Sequence, residues 1–109
     1  MGMDEQWASC YPYRSVTKKG SQVEIQVRVR NHLGEAAEAK AELRCPTDWV
    51  ATPVFLSAVV EKKSNGTLKF KLAIPKDAPA GRYVVTANVV FAGKDYGEIA
   101  EAVVDIGEQ

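Results

Sequence analysis

The sequence predicts an all-β sandwich, and three observations carry that prediction. Apolar and polar residues alternate with period two through most of the chain, β-branched residues fill several of the alternating runs, and turn-forming residues separate them. The clearest run is Gln22 to Arg30, where Val23, Ile25, Val27 and Val29 alternate with Glu24, Gln26, Arg28 and Arg30. Successive side chains of a strand point to opposite faces, so this run buries one face and wets the other. A helix with the same spacing would smear its apolar residues around the circumference.

The pattern recurs four times. Ala37, Ala39, Ala41, Leu43 and Cys45 alternate with Glu38, Lys40, Glu42 and Arg44. Ala and Glu are good helix formers, but the period-two spacing outweighs that propensity. The crowding of alanines from Ala36 to Ala41 leaves the packing of this strand open. Leu68, Phe70, Leu72 and Ile74 form the next apolar face, then Tyr83, Val85, Ala87, Val89 and Phe91, and last Ala100, Ala102, Val104 and Ile106. The stretches Ala8 to Val16 and Val50 to Val60 read as two edge strands, because each holds a proline (Pro12, Pro53) that cannot donate to a central ladder. Between the runs, Asn65-Gly66 reads as a hairpin turn, Pro75 to Gly81 as a connection, and Ala92 to Gly97 as a hairpin loop. The sum is about seven short antiparallel strands in one domain, residues 1–109.

Bulk properties narrow the function. Fourteen Lys and Arg balance fourteen Asp and Glu. A nucleic-acid-binding domain draws its affinity from a basic surplus, so none is expected as a partner. No apolar run reaches the length of a membrane-spanning helix. Residues 1–6 lack the features of a signal peptide. Met1-Gly2 before a second methionine looks like a cloning remnant, so these residues are expected to be vector-derived or disordered and the chain a fragment of a longer protein. Cys10 and Cys45 have no metal-ligand or redox spacing. They read either as two small buried hydrophobes or as a disulfide, which across a loop of about 35 residues would contribute on the order of 3–4 kcal/mol.

Catalytic machinery is not expected. The one histidine, His32, falls in a predicted turn, and no serine or cysteine has the setting of an activated nucleophile. Strand carboxylates alternate with Lys and Arg on wet faces, balanced in sign. Asp4, Glu5, Asp95, Glu98 and Glu108 make no dense acidic loop of the kind that holds calcium. Neither metal nor cofactor is expected.

Two segments go beyond generic patterning. Arg44-Cys45-Pro46-Thr47-Asp48-Trp49-Val50 puts a Pro-x-x-Trp after a strand. Ile74-Pro75-Lys76-Asp77-Ala78-Pro79-Ala80-Gly81-Arg82-Tyr83 leads through a Gly-x-Tyr into another. That Gly-x-Tyr suits a tyrosine corner, in which the hydroxyl bonds back to nearby backbone, and moves the expectation to an immunoglobulin-like sandwich. Trp49 is expected to close one end of the core. With Val27-Arg28-Val29-Arg30-Asn31 upstream, the order of these segments resembles the NPCBM-associated domain first noted in alpha-galactosidases. It is also similar to the CARDB-type adhesion-related sandwiches. The resemblance covers roughly residues 15–107. It implies a module beside the catalytic domain of a bacterial or archaeal hydrolase, or within a cell-surface protein, with an extracellular or cell-envelope parent. It transfers no catalytic residues. The expected partners are neighbouring domains of the parent chain, with a glycan or a protein as the alternative. The residues marked for such contacts are the aromatics Trp7, Tyr11, Tyr13, Trp49 and Tyr96, with Tyr11 and Tyr13 sharing a face if they lie on one strand.

Overall fold

The computed structural model describes residues 7–46 and 48–107. Its strands are β1 (Ala8–Tyr11), β2 (Arg14–Lys18), β3 (Gln22–Arg30), β4 (Ala37–Arg44), β5 (Val50–Thr52), β6 (Phe55–Val60), β7 (Asn65–Ala73), β8 (Gly81–Phe91) and β9 (Lys94–Gly107). Four of them form one sheet in the order β1-β3-β7-β5, and five form the other in the order β2-β9-β8-β4-β6. Neighbours run antiparallel except β2, which lies parallel to β9. This is the β-sandwich that the alternation predicts, of the immunoglobulin-like type that the Gly81-x-Tyr83 segment points to. No helix of the described residues is long and apolar enough to cross a membrane.

The strand count rises from about seven to nine because each expected edge strand is two strands. Pro12 separates β1 from β2, and Pro53 separates β5 from β6. In both cases the segment before the proline joins the four-stranded sheet and the segment after it joins the five-stranded one. Proline has no N–H and a fixed φ, so it interrupts the ladder and frees the chain to change partners. Both changes of sheet occur at the lateral edges, so the chain laces the two sheets together on each side.

The core lies between the sheets. Ile25, Val27 and Val29 of β3 and Leu68, Phe70 and Leu72 of β7 face inward from one side. Ala39, Ala41 and Leu43 of β4, Val85, Ala87 and Val89 of β8, and Ala102, Val104 and Ile106 of β9 face them from the other. The alanine run finds its reason in the β4–β8 register, where Ala39 lies opposite Phe91, Ala41 opposite Val89 and Leu43 opposite Ala87. Each pair joins a large side chain to a small one, which keeps the layer at even thickness.

Two expected turns fall elsewhere. Asn65-Gly66 is not a turn: both residues belong to β7, paired with Arg30 and Val29. The turn is Glu61–Ser64, closed by the Ser64 amide on the Glu61 carbonyl at 3.2 Å, with Lys63 at φ 55. Gly66 is required for space, since a β-carbon there would lie 2.6 Å from Cγ2 of Val60. The last hairpin is also tighter than expected. Ala92 and Gly93, with φ of 53 and 83, make the two-residue turn, and Lys94 already pairs with Phe91. Two consecutive positive φ values match the right-handed twist of the flanking strands. The expectation for residues 1–6, Thr47 of the Pro-x-x-Trp segment, and the acids Asp4, Glu5 and Glu108 lie outside the described residues.

Asn31, directly after β3, is fully buried. Its Nδ2 donates to the carbonyls of Val60 at 2.9 Å and Glu35 at 3.0 Å, and its Oδ1 accepts from the Leu33 amide at 2.8 Å. Its own amide donates to the Ser64 carbonyl at 2.8 Å. One side chain thus ties the β3–β4 loop to the end of β6. Asn31→Ala leaves two carbonyls and one amide without their partner and is expected to cost about 2–3 kcal/mol. Gly66→Ala is expected to cost about 1–3 kcal/mol through overpacking on the stiff Val60. Urea unfolding checks both. The Val60→Ala and Gly66→Ala double variant is expected to lose less than the sum of the singles; strict additivity would contradict the packing account.

Candidate interaction surfaces

The five marked aromatics fall in four places. Trp49 is only 7% exposed, and its ring packs tilted on Tyr83 at 5.1 Å. The Tyr83 hydroxyl donates to the carbonyl of Pro79, four residues upstream, forming the corner that the Gly-x-Tyr predicts. A stacking ligand needs an open ring face, which Trp49 in this position does not offer. Trp7 and Tyr96 meet edge to face at 4.8 Å, and Phe91 packs tilted against Trp7 at 5.5 Å. This cluster walls one end of the sandwich beside Arg30, His32 and Leu33. Tyr11 and Tyr13 do not share a strand, because the chain leaves the first sheet after Tyr11. Tyr13, 56% exposed, sits at the crossing, where its carbonyl accepts the Val103 amide at 2.7 Å. Tyr11 ends β1, is 51% exposed, and carries the Arg28 guanidinium 3.9 Å above its ring centre.

Tyr11 and Trp7 flank the outer face of the four-stranded sheet. Ladder register builds that face row by row. Ser9 lies beside Arg28, which lies beside Thr67, and Arg30 lies beside Asn65. These residues, with Trp7, line a shallow open groove of about 400 Å³. Arg30 donates to the Asn65 side-chain oxygen at 3.3 Å, and Arg28 to Gln26 at 3.2 Å. The strand faces read as balanced in sign, but this one is not. Arg28, Arg30, Lys69 and Lys71 point outward against Glu24 alone, a surplus of three positive charges on a chain with none overall. Whole-chain charge hid this, because which strands share a face depends on pairing that local spacing does not contain.

The outer face of the five-stranded sheet is different. Asp105 accepts Arg82 at 2.9 Å and Arg14 at 2.7 Å. The hydrogen bond from Arg82, then that from Arg14, holds its carboxyl below the usual carboxylate range. Val84 is exposed beside these groups. No group of three or more His, Cys, Asp or Glu among the described residues is placed to hold a metal ion.

Both cysteines are free thiols. Cys10 is buried in β1, and Cys45 donates weakly to the Trp49 carbonyl at 3.6 Å. Cys10 lies in the four-stranded sheet, whereas Cys45 lies in the segment that follows β4 of the five-stranded one. Burial, and to a lesser degree the charge of Glu101, pushes Cys10 up to about 11, and burial raises Cys45.

A two-sheet, mainly antiparallel sandwich with a tyrosine corner places the chain among the immunoglobulin-like modules. Its residues 17–92 match the family model of the NPCBM-associated NEW3 domain of alpha-galactosidase, and the chain belongs to that family. No curated protein matches the sequence. Solved structures share the fold at low identity. WR4, a C. elegans MSP family member, is 11% identical with a TM-score of 0.64, over 93% of this chain and 98% of its own. A family 123 glycoside hydrolase from Clostridium perfringens is 10% identical with a TM-score of 0.60, over 94% of this chain but only 23% of its own. The CupB2 chaperone of Pseudomonas aeruginosa is 16% identical with a TM-score of 0.53, over 89% of this chain and 54% of its own.

The thiol environment gives a pH prediction. Cys10 holds its proton more tightly folded than unfolded, so its contribution to stability is complete below about pH 9 and is lost as pH rises toward about 11. Cys10→Ala is expected to flatten that part of the stability profile. Denaturant midpoints measured from pH 8 to beyond 11 check it; an unchanged slope in the variant contradicts it.

Proposed function

We propose that this chain is a non-catalytic accessory module of a larger bacterial or archaeal hydrolase or cell-surface protein. It acts as a spacer or packing partner for a neighbouring domain of an extracellular or cell-envelope parent, and residues 1–109 form one domain of it. Membership of the NEW3 family across residues 17–92 carries the reading. The sandwich of the Clostridium perfringens hydrolase supports it as a precedent, since a fold of this shape there occupies less than a quarter of a glycosidase chain. The chemistry agrees. Inward positions are taken by apolar side chains, while the charged groups are distributed over two open sheet faces. Glycosidic cleavage needs two carboxyls roughly 5–10 Å apart in a cleft. The isolated chain is expected to release no chromophore from a panel of aryl glycosides. Turnover that persists through repurification and disappears on substituting a single carboxylate overturns the reading.

A second reading is a binding module for a glycan or a protein, favoured by one observation. The cationic face of the four-stranded sheet presents Tyr11 half exposed beneath Arg28, next to hydroxyl and amide groups. On the face of a sheet the backbone is already paired, so any ligand there is read by side chains. If the reading holds, affinity electrophoresis through immobilised polysaccharides shows retardation that Tyr11→Ala and Arg28→Ala each reduce about tenfold, while Arg44→Ala on the opposite face changes nothing. Equal mobility in every gel removes it.

A further inference from the structure

The two sheets end in four edge strands, and three of them are protected. Strand β1 has four residues and runs into Pro12, and β5 has only three. Strand β2 begins with Arg14 and ends with Lys18. Short length, proline and terminal charge are the devices that keep unpaired ladder groups from recruiting another chain. Strand β6 has none of them within its own length, Pro53 and Glu61 lying just outside it. It is six residues long, Phe55-Leu56-Ser57-Ala58-Val59-Val60, with no charge, no proline and no glycine. Its outward side chains Phe55 and Val59 are 62% and 66% exposed, and Val54 just before it is 64% exposed.

We propose that β6 is a self-association edge. Two copies pair β6 with β6 in antiparallel fashion about a two-fold axis at Ser57, which joins two five-stranded sheets into one of ten strands. The occupant is argued from the strand itself. Phe55 and Val59 lie on one face at equal distances from Ser57, and Leu56 and Ala58 on the other face are likewise equidistant. About that axis, each Phe55 falls opposite the Val59 of the other copy, and each Leu56 opposite an Ala58. An aromatic with a β-branched residue is a favourable cross-strand pair, and the large-with-small pairing on the inner face repeats the pattern between β4 and β8. A symmetric dimer requires this self-complementarity.

Charge permits the pairing. The edge is uncharged, and the chain has no net charge to keep copies apart. Glu61 directly follows the strand, but about the Ser57 axis it falls opposite Pro53 of the other copy; the next charges, Glu38, Lys40 and Glu42, sit one strand back on β4. Across the dimer, like charges on the two β4 strands stand about 14 Å apart, beyond the screening length of roughly 8–10 Å. Area sets the strength. The exposed parts of Val54, Phe55 and Val59 with the edge backbone come to roughly 800 Å² for the pair, against the ~1,200 Å² at which stable interfaces begin. The dimer is therefore weak and dependent on concentration.

Sedimentation velocity on the 109-residue chain, from micromolar to millimolar concentration, tests this. The expected result is a reversible monomer–dimer equilibrium whose dissociation constant rises about tenfold or more with Val59→Lys, since an edge lysine blocks pairing. Val84→Lys, a similarly exposed site on the outer face of β8, leaves it unchanged. Hydrogen exchange on the unmodified chain needs no variant: amide protection in β6, and not in β2, rises with concentration. A monomer throughout overturns the proposal. So does a dimer that Val59→Lys leaves intact or that Val84→Lys weakens equally, or protection that rises at β2 instead.

Discussion

Everything in this sandwich depends on the packing of one apolar sheet face against the other. Neither sheet survives alone in water, because each presents a continuous aliphatic surface whose burial is the main favourable term in folding. On one side that surface is built of Ile25, Val27, Val29, Leu68, Phe70 and Leu72, and on the other mainly of alanines and valines with Leu43, Phe91 and Ile106 among them. The layer closes because bulk in one position is matched by its lack in the next. This is why Ala39, Ala41 and Ala87 stand in central strands although alanine has little intrinsic preference for them. Space available between the sheets, not strand propensity, selects them.

The same constraint explains the margins. A sheet that is buried on one face still has two unpaired edges, and the chain uses its own prolines to manage them. At Pro12 and Pro53 it passes from one sheet to the other, so each lateral side is laced by a covalent crossing. Asn31 performs the corresponding task between loops. It is the one polar side chain that is fully buried among the described residues, and its amide is satisfied at both ends. A buried amide costs stability unless it is bonded, so its presence indicates that the loops need a directional tie that an aliphatic residue would not supply.

The candidate surfaces show where local reading stops. That the strand carboxylates and cations would face water was legible, because alternation is a property of neighbouring residues. That Arg28 and Arg30 would share a face with Lys69 and Lys71 was not, because it follows from the pairing of β3 with β7 across about 40 positions of chain. The aromatics divide on the same ground. Trp49, Trp7 and Tyr11 look alike in the sequence as rings near strand ends. Trp49 lies against Tyr83, Trp7 against Phe91 and Tyr96, and Tyr11 remains open beneath Arg28. Asn65-Gly66, a turn by its local spacing, lies within β7 for a related reason. The glycine answers to the proximity of Val60, a tertiary contact, and not to the sign of its own φ.

What the sequence alone determined is therefore whatever a few adjacent residues settle between themselves. The period-two alternation assigned an inner and an outer face to each central strand, and the Gly81-x-Tyr83 spacing set the corner, since the hydroxyl reaches a carbonyl only four residues back. The family likeness belongs here too, being carried by short segments in order. Tertiary structure alone decided which sheet each proline-split edge joins, how the outer charges segregate, which rings stay exposed and which edge is left unguarded. Each of these depends on register between strands distant in the chain, and register is set only when the two apolar faces close on each other.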